Sequence, residues 1–165
     1  MGLVKRIHLC TALIERGDAV LLVANRYLNH AEPLWNLPGG RQEAGELMRE
    51  TVEREVLEET GVHAQVGDLL YVSESYDGDT HFTNVTFRAQ AQGEVRVPAR
   101  DRHVVEVAWV ARAALRERIA VAVVREPLLA ALERNQHYSG FHDAGIRIVF
   151  NDPPSPHGAR NEPGK

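Results

Sequence analysis

The sequence predicts an α/β domain, and three observations carry that expectation. Short apolar runs bounded by turn residues dominate the first 110 residues, a single long charged helix interrupts them, and two apolar helical patterns close the chain. Arg6 to Ile14 and Ala19 to Ala24 read as two strands around Arg16-Gly17-Asp18, a hairpin. Asn25 to Gly40 reads as loop, because it holds Asn29, Asn36, Pro33, Pro38 and Gly39-Gly40. Gly45 to Glu59 reads as a helix, with Gly61 where a helix-stopping residue belongs. Val62 to Tyr76 reads as one or two strands. Asp77-Gly78-Asp79 is a turn signal, and His81 to Gln92 alternates as a strand. After a polar loop with Pro98, Val104 to Val110 is a further strand. Ala111 to Arg118 and Pro127 to Arg134 read as helices, and Gly145 to Phe150 as a last short strand. Asn151 to Lys165, rich in Pro, Gly and Asn with only Ala159 aliphatic, reads as a disordered tail, so the domain is expected over residues 1–150.

Composition sets the outer bounds. A chain of 165 residues has room for one ordinary domain, and 44% hydrophobic with 25% charged residues is the composition of a folded globular protein. Nineteen Lys and Arg against 23 Asp and Glu leave a formal charge of -4, which argues against extended nucleic acid as a partner. The one cysteine, Cys10, excludes an internal disulfide and sits in an apolar strand pattern where burial is expected. The longest apolar runs fall far short of a membrane span, and the start shows no apolar stretch with a small-residue cleavage site. The expectation is a cytoplasmic protein with no membrane partner.

The chemistry concentrates on the charged helix. Its acids can be read as a solvated face, with Glu50–Arg54 and Arg49–Glu53 as i,i+4 pairs. At roughly 100° per residue, however, Glu55 and Glu59 fall within about 20° of the line of Met48 and Val52, with Glu58 beside them. A surface helix places its acids opposite its apolar stripe. Here three carboxylates continue that stripe, and close carboxylates repel one another. A hard divalent cation over the face removes the conflict, and carboxylate oxygens are the ligands such ions take.

The spacing also resembles a known signature. Gly40, five residues, Glu46, seven residues, Arg54-Glu55-Val56, one residue, Glu58-Glu59, one residue and Gly61-Val62 satisfy every specified position of the Nudix box. The approach Trp35-Asn36-Leu37-Pro38-Gly39-Gly40 and the later Glu106-Val107-Ala108-Trp109-Val110 are similar to the same family. The resemblance spans roughly the first 135 residues, and the box is its most specific part. It implies the Nudix fold, an α/β/α sandwich with a mixed β-sheet. It also implies Mg²⁺- or Mn²⁺-dependent hydrolysis of a nucleoside diphosphate linked to another group. By position, Glu55, Glu58 and Glu59 would be metal ligands, Arg54 would orient them, and Glu46 would support that arrangement or assist the base. Many family members carry a glutamate six residues before the late-strand Trp. His103 stands there in this sequence, so the base is open between Glu58 or Glu59, His103, Asp101 and Glu106.

Downstream of the box, the proline associated with ADP-ribose enzymes is missing from Tyr76-Asp77-Gly78-Asp79, and Tyr76 is slightly early for the tyrosine of dinucleoside polyphosphate enzymes. By elimination, a nucleoside di- or triphosphate leads. Hydrolysis of dinucleoside polyphosphates, ADP-ribose or nucleotide sugars, and a non-catalytic nucleotide-sensing module, are the alternatives. Candidate substrate contacts are Arg26 and Arg41 for phosphates, Trp35 and Tyr27 for a base, and Gly39, Gly40 and Tyr76 beside them. A phosphate-binding P-loop over Gly40 to Gly45 is rejected, since Glu46-Leu47 follow where Lys and Ser or Thr are needed. His137, His142 and Asp143 read as a surface cluster, and Leu128, Leu129 and Leu132 as core. A homodimer is common in the family, and Gly145 to Phe150 is the strand that could join one.

Overall fold

The computed structural model describes residues 2–97, 99 and 103–149. The expected tail, Phe150, Pro98 and the candidate base Asp101 lie outside the described residues. In chain order the elements are β1 (Lys5–Arg16), β2 (Ala19–Asn25), β3 (Leu34–Asn36), β4 (Gly39–Arg41), α1 (Met48–Thr60), β5 (His63–Asp77), β6 (Thr80–Gln92) and β7 (Val104–Ala111). A 3₁₀ turn over Arg112–Ala114 leads into α2 (Leu115–Arg118), α3 (Ala122–Arg134) and β8 (Tyr138–Phe141).

The β1–β2 hairpin closes through Gly17, whose φ of 58° suits glycine. Only Glu15↔Val20 and Arg16↔Ala19 pair before the two strands part. β1 then runs parallel to β6, and β2 antiparallel to β7. The gap between them receives the two shortest strands: β4 pairs with β1 and β3 with β2. The far edge is β5, antiparallel to β6, then β8, parallel to β5. The sheet is mixed, as expected.

Helices cover both faces. On one side Cys10, Ala12 and Ile14 of β1 and Leu21 of β2 pack with Val52 and Val56 of α1. On the other, Leu13, Val20 and Leu22 pack with Leu115, Ile119, Leu128 and Leu129. Strands buried on both faces read as continuous apolar runs rather than alternations, which is how β1 and β2 look in sequence. The expected core roles of Leu128, Leu129 and Leu132 hold: the first two are buried and the third packs against them. Cys10 is fully buried, and burial pushes its thiol up to about 11, out of reach of ordinary thiolate chemistry.

Several element boundaries differ from expectation, each for a physical reason. The stretch read as loop from Asn25 to Gly40 contains β3 and β4, three residues each and too short to show a period of two. α1 begins at Met48 rather than Gly45, where the Glu50 carboxylate accepts the Leu47 N–H at 2.6 Å. It ends as expected at Gly61, with a φ of 74° and its N–H on the Leu57 carbonyl. α3 starts at Ala122, not Pro127, because packing of the valine-rich first turn overrides its weak helix preference. The last strand is Tyr138–Phe141, while residues 145–149 carry no strand; Tyr-Ser-Gly-Phe is defined by pairing with β5, a long-range event. No helix among the described residues is long and apolar enough to cross a membrane.

Leu128→Ala removes a fully buried side chain between α3 and the sheet. It is expected to cost about 2–5 kcal/mol in urea unfolding. Leu28→Ala, at a residue 67% exposed, should stay within about 0.5 kcal/mol. Equal effects would place the core elsewhere.

Candidate active site

The charged helix resolves into a buried half and an open half. Val52, Val56 and Glu59 are buried, Met48 packs partly against the same cluster, and Glu55 is largely covered. Glu58 leans into solvent, with 55% of its side chain exposed. The carboxylates of Glu55 and Glu59 therefore continue the buried stripe, as helical geometry requires.

Arg54 joins the loop before the helix to the helix itself. Its Nε donates to Glu46 Oε1 at 2.5 Å and its Nη2 to Glu46 Oε2 at 3.1 Å, a two-pronged pairing. Nη1 donates to Glu55 at 2.9 Å and to Glu58 at 3.4 Å, and Nη2 also reaches the Arg41 carbonyl at 3.1 Å. Glu46 accepts two further bonds, from the Glu43 N–H at 3.0 Å and from the Thr51 hydroxyl at 2.7 Å. The pairs expected along the helix surface do not form. Arg54 turns from Glu50 to this cluster, and Arg49 donates to the Val66 carbonyl at 2.9 Å.

The two glycines before the helix set the approach distance. A Cβ on Gly40 would lie 2.4 Å from Glu55 Oε1. A Cβ on Gly39 would lie 2.2 Å from the Cys10 carbonyl oxygen. With no side chain in the way, the Gly39 N–H donates to Glu59 Oε1 at 2.6 Å. This bond fixes one carboxylate that helical pitch alone cannot orient. No three of the described His, Cys, Asp and Glu residues are gathered to hold a metal ion among themselves. Glu55 faces Arg54 and Gly40, Glu59 faces Gly39, and Glu58 faces outward.

On the opposite face of the sheet lies a cleft of about 1030 Å³, open solvent at its mouth included. Leu9 and Thr11 of β1, Phe82 and Asn84 of β6 and Ser73 and Ser75 of β5 form its floor. Asn25, Tyr27 and Asn36 form one side, and Val121, Val123 and Val124 at the start of α3 another. Gly39 and Gly40 line it too, so the segment that touches Glu55 and Glu59 is also a wall of the cleft. Among the described residues its charged lining is the acids Glu74 and Asp77. Tyr27 is pushed up to about 12, by burial first and then by the charge of Glu59.

The remaining candidates separate. Trp35 lies against the α3-side core beneath the Arg118 guanidinium, 4.9 Å from its ring centroid, and does not line the cleft. Tyr76 is stacked on His81 at 4.5 Å and stands outside the cleft as well. Arg26 is exposed beyond β2, where its N–H donates to the His103 carbonyl at 2.9 Å. His103 is exposed at the start of β7, and Glu106 is exposed opposite Ala24. Arg41, in β4, meets the cluster through its carbonyl and is not part of the cleft lining. His137 bonds the Leu70 carbonyl and Asn135, and Asp143 accepts the Gly145 N–H, so these residues are occupied in holding the chain. Sequence reasoning missed Asn84, Phe82 and the serines of β5. Their one signal is the period of two in β5 and β6, which marks a shared face but not a cleft above it.

A family model for the NUDIX domain matches residues 5–132. The chain is 39% identical over 77 residues to an ADP-ribose pyrophosphatase of Methanocaldococcus jannaschii, covering 46% of this chain and 45% of that protein. It is 35% identical over 104 residues to the human 8-oxo-dGDP phosphatase NUDT18, covering 62% and 31%. The chain thus spans less than half the length of either relative. The solved structure of a NUDIX hydrolase from Nitrosomonas europaea superposes with a TM-score of 0.68 at 25% identity, over 81% of this chain and 93% of that one.

Glu46 yields a test of the Arg54 cluster. Its carboxyl is held down to about 2 from an ordinary 4.5, first by the Arg54 hydrogen bond and then by bonds from Glu43 and Thr51. A carboxyl depressed in the folded state adds stability that is present above its ordinary value and is lost as pH falls toward the folded one. Glu46→Gln should therefore be less stable than wild type at about pH 7, and the gap should narrow on acidification to about pH 3. Chemical unfolding at both pH values measures it. A gap that does not change with pH would remove Glu46 from the charge network.

Proposed function

Because this chain belongs to the Nudix family, its NUDIX domain lying over residues 5–132, we propose that it hydrolyses the pyrophosphate linkage of a nucleoside di- or triphosphate. The observation that carries the reading is the double role of Gly39 and Gly40. They line the cleft on one side of the sheet, and on the other Gly39 bonds Glu59 while Gly40 lies against Glu55. A ligand with an uncharged end and a polyphosphate end fits that continuity. Among the described residues no cation lines the cleft to receive a phosphate, and beside Glu74 and Asp77 its amides, hydroxyls and apolar walls suit a nucleoside. Asn84 is oriented for such a task. Its Nδ2 donates to Thr86 at 3.0 Å and its Oδ1 accepts from Thr11 at 3.3 Å, which leaves one amide N–H for a base edge. The two relatives are named for ADP-ribose and 8-oxo-dGDP, both nucleoside diphosphates or derivatives of one. We take residues 1–150 as the hydrolase domain.

Glu55, Glu58 and Glu59 are the residues that would hold a divalent ion. Their oxygens suit Mg²⁺ or Mn²⁺, and a site not closed by protein ligands suits Mg²⁺, which takes one or two carboxylates together with waters and substrate phosphates. Bound there, the ion supplies neutralisation of phosphate charge and a lowered pKa for water. The chain's own contribution is positional. Arg54 keeps Glu55 and Glu58 turned to one side, and the Gly39 N–H keeps Glu59 in place. Glu58, the most exposed of the three, has the freedom to take a proton from an attacking water. His103 is the other base to test, standing just before β7 beside Arg26.

A panel of nucleoside di-, tri- and polyphosphates, ADP-ribose and nucleotide sugars, assayed with Mg²⁺ and with Mn²⁺, tests the reading. Turnover of a nucleoside di- or triphosphate is expected. Tight binding of a nucleotide with no turnover of any compound would replace the enzyme by a sensing module. Glu58→Gln and Glu59→Gln should each lower kcat by at least about 10²-fold. Wild-type kcat in both would remove these residues from the chemistry. With His103→Ala, a lost pH limb near neutrality assigns the base to His103, and an unchanged profile assigns it to a box glutamate.

A further inference from the structure

The chain after β8 comes back over the cleft. Residues 144–149 bend at Gly145 and Ile146, and their exposure alternates: Ala144, Ile146 and Ile148 are half-buried and line the cleft, while Gly145, Arg147 and Val149 are exposed. Polar bonds hold this segment at both ends. At one end the Ala144 N–H donates to the Tyr76 carbonyl at 2.8 Å. At the other, the Asn29 side chain acts as a strand partner in miniature. Its Nδ2 donates to the Arg147 carbonyl at 2.6 Å and its Oδ1 accepts the Val149 N–H at 3.0 Å. His30 Nε2 reaches the same Arg147 carbonyl at 2.9 Å, and because a carbonyl only accepts, that ring nitrogen carries the proton.

We propose that residues 144–149 are a latched wall of the nucleoside cleft, and that Asn29 is the positioning residue that decides how tightly a nucleoside is held. The inference rests on the reading of the cleft as the nucleoside site. Ile146 and Ile148 offer an apolar surface of the kind on which the flat face of a base rests, in a cleft that Phe82 also lines. Asn29 does not line the cleft; it acts only through the backbone of the wall. Its loop also carries Tyr27, which does line the cleft, so one loop forms a side of the site and fastens the segment that closes it. The latch bonds are solvent-exposed, where water competes for each donor and acceptor, so the wall is fastened without being sealed. A bound nucleoside adds apolar contact to Ile146 and Ile148 and holds the wall shut. Loss of the latch lets the wall spend part of its time open, which lowers apparent affinity in proportion and leaves the chemistry at α1 untouched.

The test uses the full chain and the nucleoside triphosphate among ATP, GTP, CTP, UTP and dGTP that wild type hydrolyses best. Asn29→Ala and the double variant Ile146→Ala with Ile148→Ala should each raise KM about tenfold while kcat stays within about twofold, the pattern of lost uniform binding. Asn29→Asp keeps the acceptor for Val149 and loses the donor to Arg147, so its KM should fall between wild type and Asn29→Ala. Amide hydrogen exchange at Val149 should quicken in Asn29→Ala, and in wild type it should slow when the matching nucleoside monophosphate is added. An unchanged KM in both alanine variants, or exchange at Val149 indifferent to every one of the five monophosphates, would overturn the wall. Absence of turnover in wild type would reject the proposed activity instead. The wall would then stand or fall on the exchange measurement alone.

Discussion

The site depends on one guanidinium. Arg54 grips Glu46 with two nitrogens, touches Glu55 and Glu58 with a third and bonds the carbonyl of Arg41. Three pieces of chain meet there: β4, the loop after it, and α1. Without a cation at this point, Glu46, Glu55 and Glu58 would repel one another across a partly buried space. With it, the acids share a donor, and the planar fork gives direction as well as charge. A lysine at this position would keep the charge and lose the fork.

The second constraint is the backbone approach at Gly39 and Gly40. The sheet separates two environments: an acidic one beneath, shaped by α1, and a cleft above without a cationic side chain among its described lining residues, bounded by α3 and residues 144–149. Gly39 and Gly40 lie between them, and the absence of side chains lets the Gly39 N–H reach Glu59. The proposed activity would place the phosphates and the base of its substrate on different faces. That explains why the formal charge of -4 says nothing against an anionic ligand.

The helix was the most legible part of the chain because its evidence is local. Thirteen residues with a fixed pitch place Glu55 and Glu59 on the buried line of Val52, and Gly61 ends the helix as its left-handed φ demands. Arg54's partners were less legible. Helical spacing alone favours Glu50, yet Glu46, eight residues away and outside the helix, takes the interaction through the fold of the loop. Trp35 shows the same limit. An aromatic beside a glycine loop suits a base or a core equally well, and only the packing of Arg118 and α3 decides for the core.

The sequence by itself determined the mixed strand and helix order, the box from Gly40 to Val62, the buried thiol of Cys10 and the leucine face of α3. Each rests on composition, on a period, or on a spacing within a few turns of chain. Tertiary structure alone decided the rest: the three-residue strands in the gap between β1 and β2, the pairing of β8 with β5, the cleft floor of Asn84 and Phe82, and the return of residues 144–149 across it. These features are made by pairing with other segments, from about ten residues away for β3 to more than sixty for β8. A strand of three or four residues has too few positions to show a period, and a bent wall segment is recognised only by the cleft it lines. Such elements exist because a neighbour accepts their hydrogen bonds, and that neighbour is visible only in the folded chain.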